Sequence, residues 1–273
     1  VQHPQESQFN YIYGEVLLLL NKKDEARFQF QVFAESNPTN PMGWEQLIRT
    51  SFPDSLKIAE EVCEKAISYI PEGTMFYLYL SSVHHIQKDY SKALEILIRC
   101  DSVASKDNAH LQSELYGRMG DLYHQLEQKD SAFVYYDKAL VYNPNNIQVL
   151  NNYSYYLSVI RKDLDRAEKM SSLTVKAEPT NPTYLDTYGW ILFEQKAYMM
   201  AKIYLEKAVR YAEEDKDRNL DEGGNSVLLE HYGDVLYMLG EIDKAVEYWT
   251  KAKDGSESTT LNKKIETKTY IPE

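Results

Sequence analysis

The chain has 273 residues, 43% of them hydrophobic, which is enough material for a sizeable folded core. Its 42 acidic and 30 basic residues give a net charge of −12, which argues against binding to nucleic acid or to an anionic membrane surface. The longest apolar run, Val16 to Leu20, is far shorter than the roughly 20 residues that a membrane-spanning helix needs.

Cysteine is sparse, with Cys63 and Cys100 as its only occurrences. Two cysteines make neither a disulfide framework nor a zinc-ligand spacing. Both fall at positions where the pattern described next expects a small or apolar buried side chain, so we expect two buried thiols.

One stretch, from Met119 to Pro144, is a template for the rest of the chain. Gly120 is followed twelve residues on by Ala132 and sixteen on by Tyr136, which predicts two short helices that approach closely at the small residues. Proline ends the second helix because it cannot donate an intrahelical hydrogen bond. The central alanine recurs at steps of 33 to 44 residues, at Ala26, Ala59, Ala93, Ala132, Ala167, Ala201 and Ala245. A period near 34 residues is typical of a helical repeat array.

Seven repeats are predicted in chain order, each with a first helix, a polar turn and a second helix. They cover about 7–40, 41–73, 74–107, 113–146, 147–181, 182–215 and 226–259. An acidic insert over about 213–225 precedes the last repeat, and a C-terminal tail over 257–273 is expected to contain a capping helix. Because each repeat packs only on its neighbours, residues 1–273 are expected to form a single solenoid domain.

The N-terminal helix, from Tyr11 to Leu20, is apolar nearly all round. A helix needs such a surface only where it is covered on both sides. We therefore expect either that further repeats precede this helix in the intact protein or that it pairs with a second copy in a homodimer.

The pattern resembles the tetratricopeptide repeat (TPR), in which an aromatic residue and leucine, then Gly, Tyr, Ala, an aromatic residue, Ala and Pro recur within about 34 residues. The resemblance covers about 7–259, and four repeats carry the first-helix glycine, at Gly14, Gly120, Gly189 and Gly233. It implies an all-α fold, a right-handed α-solenoid of helix-turn-helix repeats. Members of this family commonly bind peptides or partner proteins in a concave groove lined by the first helices.

The family's groove positions, carried over to this chain, give thirteen candidate binding residues. They are Arg118, Asp121, His124, Asn151, Asn152, Tyr155, Asp186, Trp190, Phe193, Glu230, His231, Asp234 and Tyr237. A wall of acidic and aromatic side chains suits a ligand that carries lysine or arginine, through ion pairing and cation–π contact. The alternative for the aromatic residues, Tyr155 and Phe193 above all, is packing between adjacent helices.

Some members of the family hold a ligand's terminal carboxylate with a lysine and an asparagine four residues apart on a first helix. The matching pairs here include Gly117 with Asp121, Asn151 with Tyr155 and Asp186 with Trp190. Because the lysine is absent, this carboxylate clamp is not expected.

The acidic insert has oxygen-bearing side chains at alternating positions, as in a calcium-binding loop: Asp215, Asp217, Asn219 and Asp221. The sixth position of such a loop is a glycine and the twelfth a glutamate, but here they are Leu220 and Ser226. The tight turn and the bidentate ligand are therefore lost, and no metal site is predicted.

No phosphate-binding loop, nucleophile motif or zinc motif occurs, and the carboxylates are scattered along the predicted helices. His124 and His231 stand on first helices of different repeats, and neither has a cysteine nearby in sequence. We therefore expect no enzymatic activity and no cofactor.

These observations predict a non-enzymatic scaffold or adaptor that binds a peptide or partner protein. Two alternatives remain: a regulatory or sensor region of a larger protein whose N-terminal part carries the activity, and an assembly module that oligomerises through its terminal or convex faces. The start at Val1, without a methionine, favours a processed bacterial protein of the periplasm or cell envelope, with the cytoplasm as the alternative.

Overall fold

The computed structural model describes residues 4–52, 54–214, 222–253 and 258–272, and within them the chain has fifteen helices and no strand. The chain divides into two compact units, Val1–Pro144 and Asn145–Glu273. None of the helices in the described ranges is long and apolar enough to cross a membrane.

The N-terminal unit consists of eight helices in four consecutive pairs. Their bounds are α1 Pro4–Leu19, α2 Lys23–Ser36, α3 Pro41–Ser51, α4 Leu56–Tyr69, α5 Thr74–Ile86, α6 Tyr90–Val103, α7 Ala109–Gln125 and α8 Lys129–Tyr142. The two helices of a pair pack on each other, and the first helix of each following pair also packs on the second helix before it. Each pair therefore buries the apolar face of the next.

The C-terminal unit repeats this arrangement with three pairs and one additional helix. The bounds are α9 Ile147–Val159, α10 Leu164–Ala177, α11 Pro182–Glu194, α12 Tyr198–Glu214, α13 Glu222–Met238, α14 Ile242–Ala252 and α15 Thr259–Thr267. The first helices are also neighbours here, since α11 contacts both α9 and α13, and α15 packs on α14. This places the side chains of α11 and α13 beside one another.

The two helices of a pair approach each other at small residues. All seven central alanines are completely buried: Ala26, Ala59, Ala93, Ala132, Ala167, Ala201 and Ala245. A Cβ atom added to Gly120 would lie 2.6 Å from the Tyr136 ring, and one added to Gly233 would lie 2.5 Å from the Trp249 ring. The glycines are thus required by the close approach of a large ring on the second helix.

The turns between paired helices share one backbone device. Six first helices are followed, within two residues of their end, by a residue in the left-handed region of φ, namely Asn21, Lys88, Glu127, Arg161, Lys196 and Gly240. This conformation ends a helix and turns the chain back within a few residues. The antiparallel pairing of first and second helices follows from these short turns.

Helix α1 begins at Pro4, earlier than the predicted start at Tyr11, and it leaves an apolar face uncovered. Five side chains of α1 and that of the next residue, Leu20, are 43–87% exposed. The five are Phe9, Ile12, Tyr13, Val16 and Leu19. Their spacing of three and four residues places them on one face of the helix. We call this surface the N-terminal apolar face.

Candidate functional site

Helices α11 and α13 bring seven of the thirteen predicted binding residues into one set of contacts. We call this set the acidic–aromatic cluster and define it as Asp186, Trp190, Phe193, Glu230, His231, Asp234 and Tyr237. The three α11 members recur at steps of four and three residues, which places them on one face of that helix. On α13, which contacts α11, His231, Asp234 and Tyr237 recur at steps of three residues, and Glu230 lies four residues before Asp234.

A hydrogen bond joins the two helices at the centre of the cluster. The Nδ1 atom of His231 lies 2.9 Å from the Oδ1 atom of Asp186, so the imidazole donates to the carboxylate. The Trp190 ring stacks on the imidazole, with 4.0 Å between the ring centres and 16° between the planes. On its other side Trp190 stacks on Phe193 at 4.8 Å. Phe193 is buried, so its ring packs between helices and is not part of an open surface.

Two carboxylates of α13, Glu230 and Asp234, bind a lysine of the last helix. Lys264 of α15 donates to Oδ1 and Oδ2 of Asp234 at 2.9 and 2.8 Å and to Oε1 of Glu230 at 2.8 Å. The Lys264 side chain is only 1% exposed. Asp234 also accepts a hydrogen bond from the indole nitrogen of Trp249 at 2.9 Å. Two of the four acidic side chains that were predicted to face a ligand thus bind an ammonium group of the same chain.

The aromatic side of the cluster is covered by the residues that follow α15. Lys268 has a φ of 52°, and this left-handed turn reverses the chain after the helix. The Tyr270 ring then packs edge-on against Phe193 at 5.7 Å and lies 6.4 Å from the ring of Tyr237. The Lys264 ammonium lies 5.3 Å from the centre of the same tyrosine ring. Tyr270 and Lys264 therefore cover adjoining parts of the cluster.

Burial and charge shift the pKa values in this region. Burial raises the pKa of the Asp234 carboxyl to about 6, against the opposing attraction of the Lys264 ammonium. Burial alone would lower the pKa of Lys264, but the Asp234 and Glu230 carboxylates outweigh it and raise that pKa. Burial likewise opposes the charge on His231, yet Asp186 raises the pKa of the imidazole. At neutral pH the lysine and Asp234 therefore form an ion pair.

Three predicted binding residues lie on α7 of the N-terminal unit. Arg118 donates to Oε1 of Glu114 at 2.8 Å and to the hydroxyl of Ser82 at 3.0 Å. Asp121 accepts the hydroxyl proton of Tyr136 at 2.6 Å. Burial lowers the pKa of His124. Two of these three side chains therefore hold their own unit together through contacts to neighbouring helices.

The remaining three predicted binding residues lie on α9. Asn151 is buried, and its amide donates to the Oδ1 atom of Asn152 at 3.3 Å. The ring of Tyr155 lies 5.6 Å from that of Tyr156. The hydrogen bonds and ring contacts described above for the cluster join α11 and α13 to Lys264 and Tyr270 and do not include these three residues.

Two residues of the site were not predicted, Lys264 and Tyr270. The tail was expected to cap the last repeat, but no local pattern links Lys264 to carboxylates 30 and 34 residues earlier. One signal was available, since three lysines against one glutamate give residues 259–272 a charge of +2 in an acidic chain. Charge complementarity to the predicted acidic wall would have pointed to this contact.

The calcium-like positions Asp215, Asp217, Asn219 and Asp221 lie outside the described residues. In the part of the chain that the structure does describe, no group of three or more His, Cys, Asp or Glu side chains could hold a metal ion. Both cysteines are buried free thiols.

Comparison with known proteins agrees with the helical repeat. A family model described as the tetratricopeptide repeat matches residues 113–146, the interval of α7 and α8. A search of curated proteins gave no match.

Several solved structures have a similar fold. A tetratricopeptide repeat protein from Parabacteroides merdae ATCC 43184 matches with a TM-score of 0.68 and 16% identity, over 97% of this chain and 99% of that one. A chain of the APC/C hetero-tetramer Cut9–Hcn1 matches with a TM-score of 0.68 and 12% identity, over 94% of this chain and 48% of that one. YrrB, described as a TPR protein with an unusual peptide-binding site, matches with a TM-score of 0.51 and 17% identity, over 67% and 91%. The predicted all-α repeat fold is confirmed.

Proposed function

The chain is a tetratricopeptide repeat protein, and on that premise we propose that it is a non-enzymatic interaction scaffold that binds a basic segment of a partner protein at the acidic–aromatic cluster. Proteins of this repeat type are generally interaction modules. A net charge of −12 opposes nucleic acid as the ligand and favours a partner that carries lysine or arginine.

One observation carries the proposal: the cluster already binds an ammonium group. Asp234 and Glu230 hold the Lys264 nitrogen with three bonds of 2.8–2.9 Å. This is the chemistry expected for recognition of a basic side chain, with carboxylates for the charge and aromatic faces for the apolar stem. The peptide-binding site in the name of YrrB lends support from a protein of similar fold.

A selection of random 15-residue peptides displayed on phage tests this proposal. We expect the recovered peptides to be enriched in lysine or arginine together with an aromatic residue. Asp186→Asn and Trp190→Ala should lower the affinity of the recovered peptides at least tenfold, because both side chains orient His231 and shape the cluster. Glu247→Gln, an exposed carboxylate on α14, is the control and should bind as the unchanged chain does.

Circular dichroism must show that both cluster variants retain their helices. If the folded variants bind the peptides as tightly as the unchanged chain, the cluster is not the binding site. Recovery of acidic or purely apolar peptides would contradict the proposed ligand chemistry.

A second function, self-assembly, is favoured by the N-terminal apolar face. Its six exposed side chains carry no charge, and no helix of the described residues covers them. The corresponding first helices α3, α5 and α7 are covered by the second helix of the preceding pair. Within the described residues this face therefore lacks the contact that α3, α5 and α7 make, and we propose a second copy of this chain as its partner.

The area of this face is sufficient for a weak dimer. At about 200 Å² for each aromatic and about 100 Å² for each aliphatic side chain, the exposed fractions sum to roughly 500 Å² per copy. Two copies would bury roughly 1,000 Å², the lower end of specific interfaces. A dimer with a micromolar or weaker dissociation constant is expected.

Sedimentation velocity across a range of concentrations tests the dimer. Ile12→Glu and Leu19→Glu should each abolish the concentration-dependent increase in mass, because they place a charge in the centre of the face. Val141→Glu changes an equally exposed apolar residue on α8 and should leave the dimer intact. A monomer at all concentrations, before any substitution, would contradict this second function.

A further inference from the structure

We infer that residues 259–272, which we call the C-terminal strap, are an intramolecular ligand of the acidic–aromatic cluster. The ligands that the cluster accepts from other proteins then carry a lysine or arginine followed six positions later by an aromatic residue, as Lys264 and Tyr270 do. This inference rests on the proposed function and adds to it the ligand pattern and a competitor for the site.

A lysine, Lys264, fills a buried position of the strap. A helix that only covers the apolar end of a repeat array needs apolar side chains toward the array. Instead α15 buries two residues, Leu261 and Lys264, and Lys264 satisfies its three donors on Asp234 and Glu230. Bringing a charge into a buried position is costly and is offset only by such complete pairing. The strap is thus bound by recognition of its lysine.

The residues after α15 also contact the acidic–aromatic cluster. Two residues after the left-handed turn at Lys268, the Tyr270 ring contacts Phe193 of α11. The strap therefore contacts both first helices that form the cluster, α13 through Lys264 and α11 through Tyr270. A bound peptide would have to make the same two contacts.

The strap is held by few buried side chains. Helix α15 has nine residues, fewer than the roughly 12–15 that an isolated helix needs to be stable in water. Leu261 is the one completely buried apolar side chain of the strap among the described residues. Release of the strap therefore breaks the ion pairs and the apolar contacts of Leu261, Ile265 and Tyr270, whereas the contacts among the paired helices α9 to α14 do not involve the strap.

Attachment to the chain makes the strap an effective competitor. A tethered segment has an effective local concentration on the order of millimolar. A free segment with an intrinsic dissociation constant of about 0.1 mM would then bind about tenfold more weakly while the strap is in place. A substitution that weakens the strap should therefore increase the affinity for the free segment by up to about this tenfold factor.

A fluorescently labelled synthetic peptide with the sequence of residues 258–272 is the probe. Its affinity is measured by anisotropy for the unchanged chain and for the Tyr270→Ala and Lys264→Met variants. We expect both variants to bind the probe at least tenfold more tightly than the unchanged chain. Lys263→Met, at the neighbouring exposed position of α15, is the matched control and should not change the affinity.

Equal affinity of all four proteins for the probe, or no binding by any of them, overturns the inference. Tyr270→Ala removes no buried charge, so it keeps the test valid if Lys264→Met loses its helices in circular dichroism. A probe that itself carries methionine and alanine at the positions of Lys264 and Tyr270 should bind the opened Tyr270→Ala variant at least tenfold more weakly than the original probe.

The phage-derived peptides separate this inference from the proposed function. Basic aromatic peptides that bind the unchanged chain and Tyr270→Ala equally well leave the proposed function standing and overturn the strap as a competitor. If neither protein selects basic aromatic peptides, the proposed function fails. Peptides that bind at least tenfold more tightly to Tyr270→Ala, and that repeat the six-residue spacing, support both.

Discussion

Lys264 and Asp234 form a two-point ion pair in the interior of the C-terminal unit, with both carboxylate oxygens within 2.9 Å of the ammonium nitrogen. Replacing the lysine by methionine leaves the Asp234 and Glu230 charges buried without a partner, a change that typically costs about 3–5 kcal/mol. The chain can avoid most of this cost by releasing α15, because the carboxylates then regain water. We expect Lys264→Met to abolish the hydrogen-exchange protection of α15 amides and to leave that of α5 unchanged.

Asp234→Asn in the Lys264→Met background should restore part of this protection. The amide oxygen can still accept the Trp249 indole proton, and one uncompensated charge is gone. Lys263→Met, at an exposed position, should retain full protection of α15. Unchanged protection in Lys264→Met itself would mean that the ion pair does not hold the helix.

His231 and His124 should titrate on opposite sides of the usual histidine pKa of about 6.5. Asp186 raises the pKa of His231 despite burial, whereas burial lowers the pKa of His124. The charged form of His231 therefore stabilises the fold fully below pH 6.5, and this contribution is lost as the pH rises through its folded pKa. For His124 the neutral form is the one that stabilises the fold. Its contribution is fully present above pH about 6.5 and is lost as the pH falls through the folded pKa. NMR titration of the imidazole Cε1–H signals measures both.

Asp186→Asn should move the pKa of His231 downward and leave that of His124 as it was. Asp234 and Glu230 also face His231 and would keep part of the upward shift. Both histidines titrating together near 6.5 would contradict the burial and hydrogen bonding described above.

The helical pairs follow from sequence because their determinants are local. Only small residues fit where two helices meet, so an alanine every 34 residues or so marks each contact, and all seven alanines are completely buried. The left-handed residues that close the turns are harder to predict, since five of the six are not glycine: Asn21, Lys88, Glu127, Arg161 and Lys196. The short connection imposes that conformation on whichever residue occupies the position.

The candidate site was accessible to prediction only in part. Family positions select side chains on first helices, and this is why Asp186, Trp190 and His231 meet. The same rule selects Phe193, which is buried, because periodicity alone does not distinguish a groove from a helix–helix contact. Lys264 escapes prediction because its partners lie at least 30 residues away and no repeat pattern includes the strap.

Gly120→Ala should destabilise the N-terminal unit although alanine favours helices by about 1 kcal/mol over glycine. The added Cβ would lie 2.6 Å from the Tyr136 ring. That ring cannot move easily, because it is fully buried and its hydroxyl donates to Asp121. Overpacking typically costs about 1–3 kcal/mol, so we expect a net loss measured as a lower urea midpoint.

Gly240 offers a contrast, since a Cβ atom added there would meet nothing within 4 Å, but the residue has a φ of +81°. Gly240→Ala should cost about 1 kcal/mol and Gly240→Asn less, because asparagine tolerates the left-handed region. Gly120→Asn should be worse than Gly120→Ala. Equal effects at the two glycines would contradict the distinction between close packing and backbone strain.

Cys63 and Cys100 should not react with thiol reagents in the folded protein. Burial raises the pKa of Cys63 to about 12 and that of Cys100 to about 11, and both side chains are inaccessible. The thiolate is the reacting form. The raised pKa values keep the thiolate fraction small at neutral pH, and burial keeps the reagent away from the sulfur. Titration with a chromogenic disulfide at pH 8 should detect no thiol in buffer and two thiols in urea. Rapid reaction of one thiol in buffer would mean that its helix pair opens locally, since α4 or α6 must separate from its neighbours to expose it.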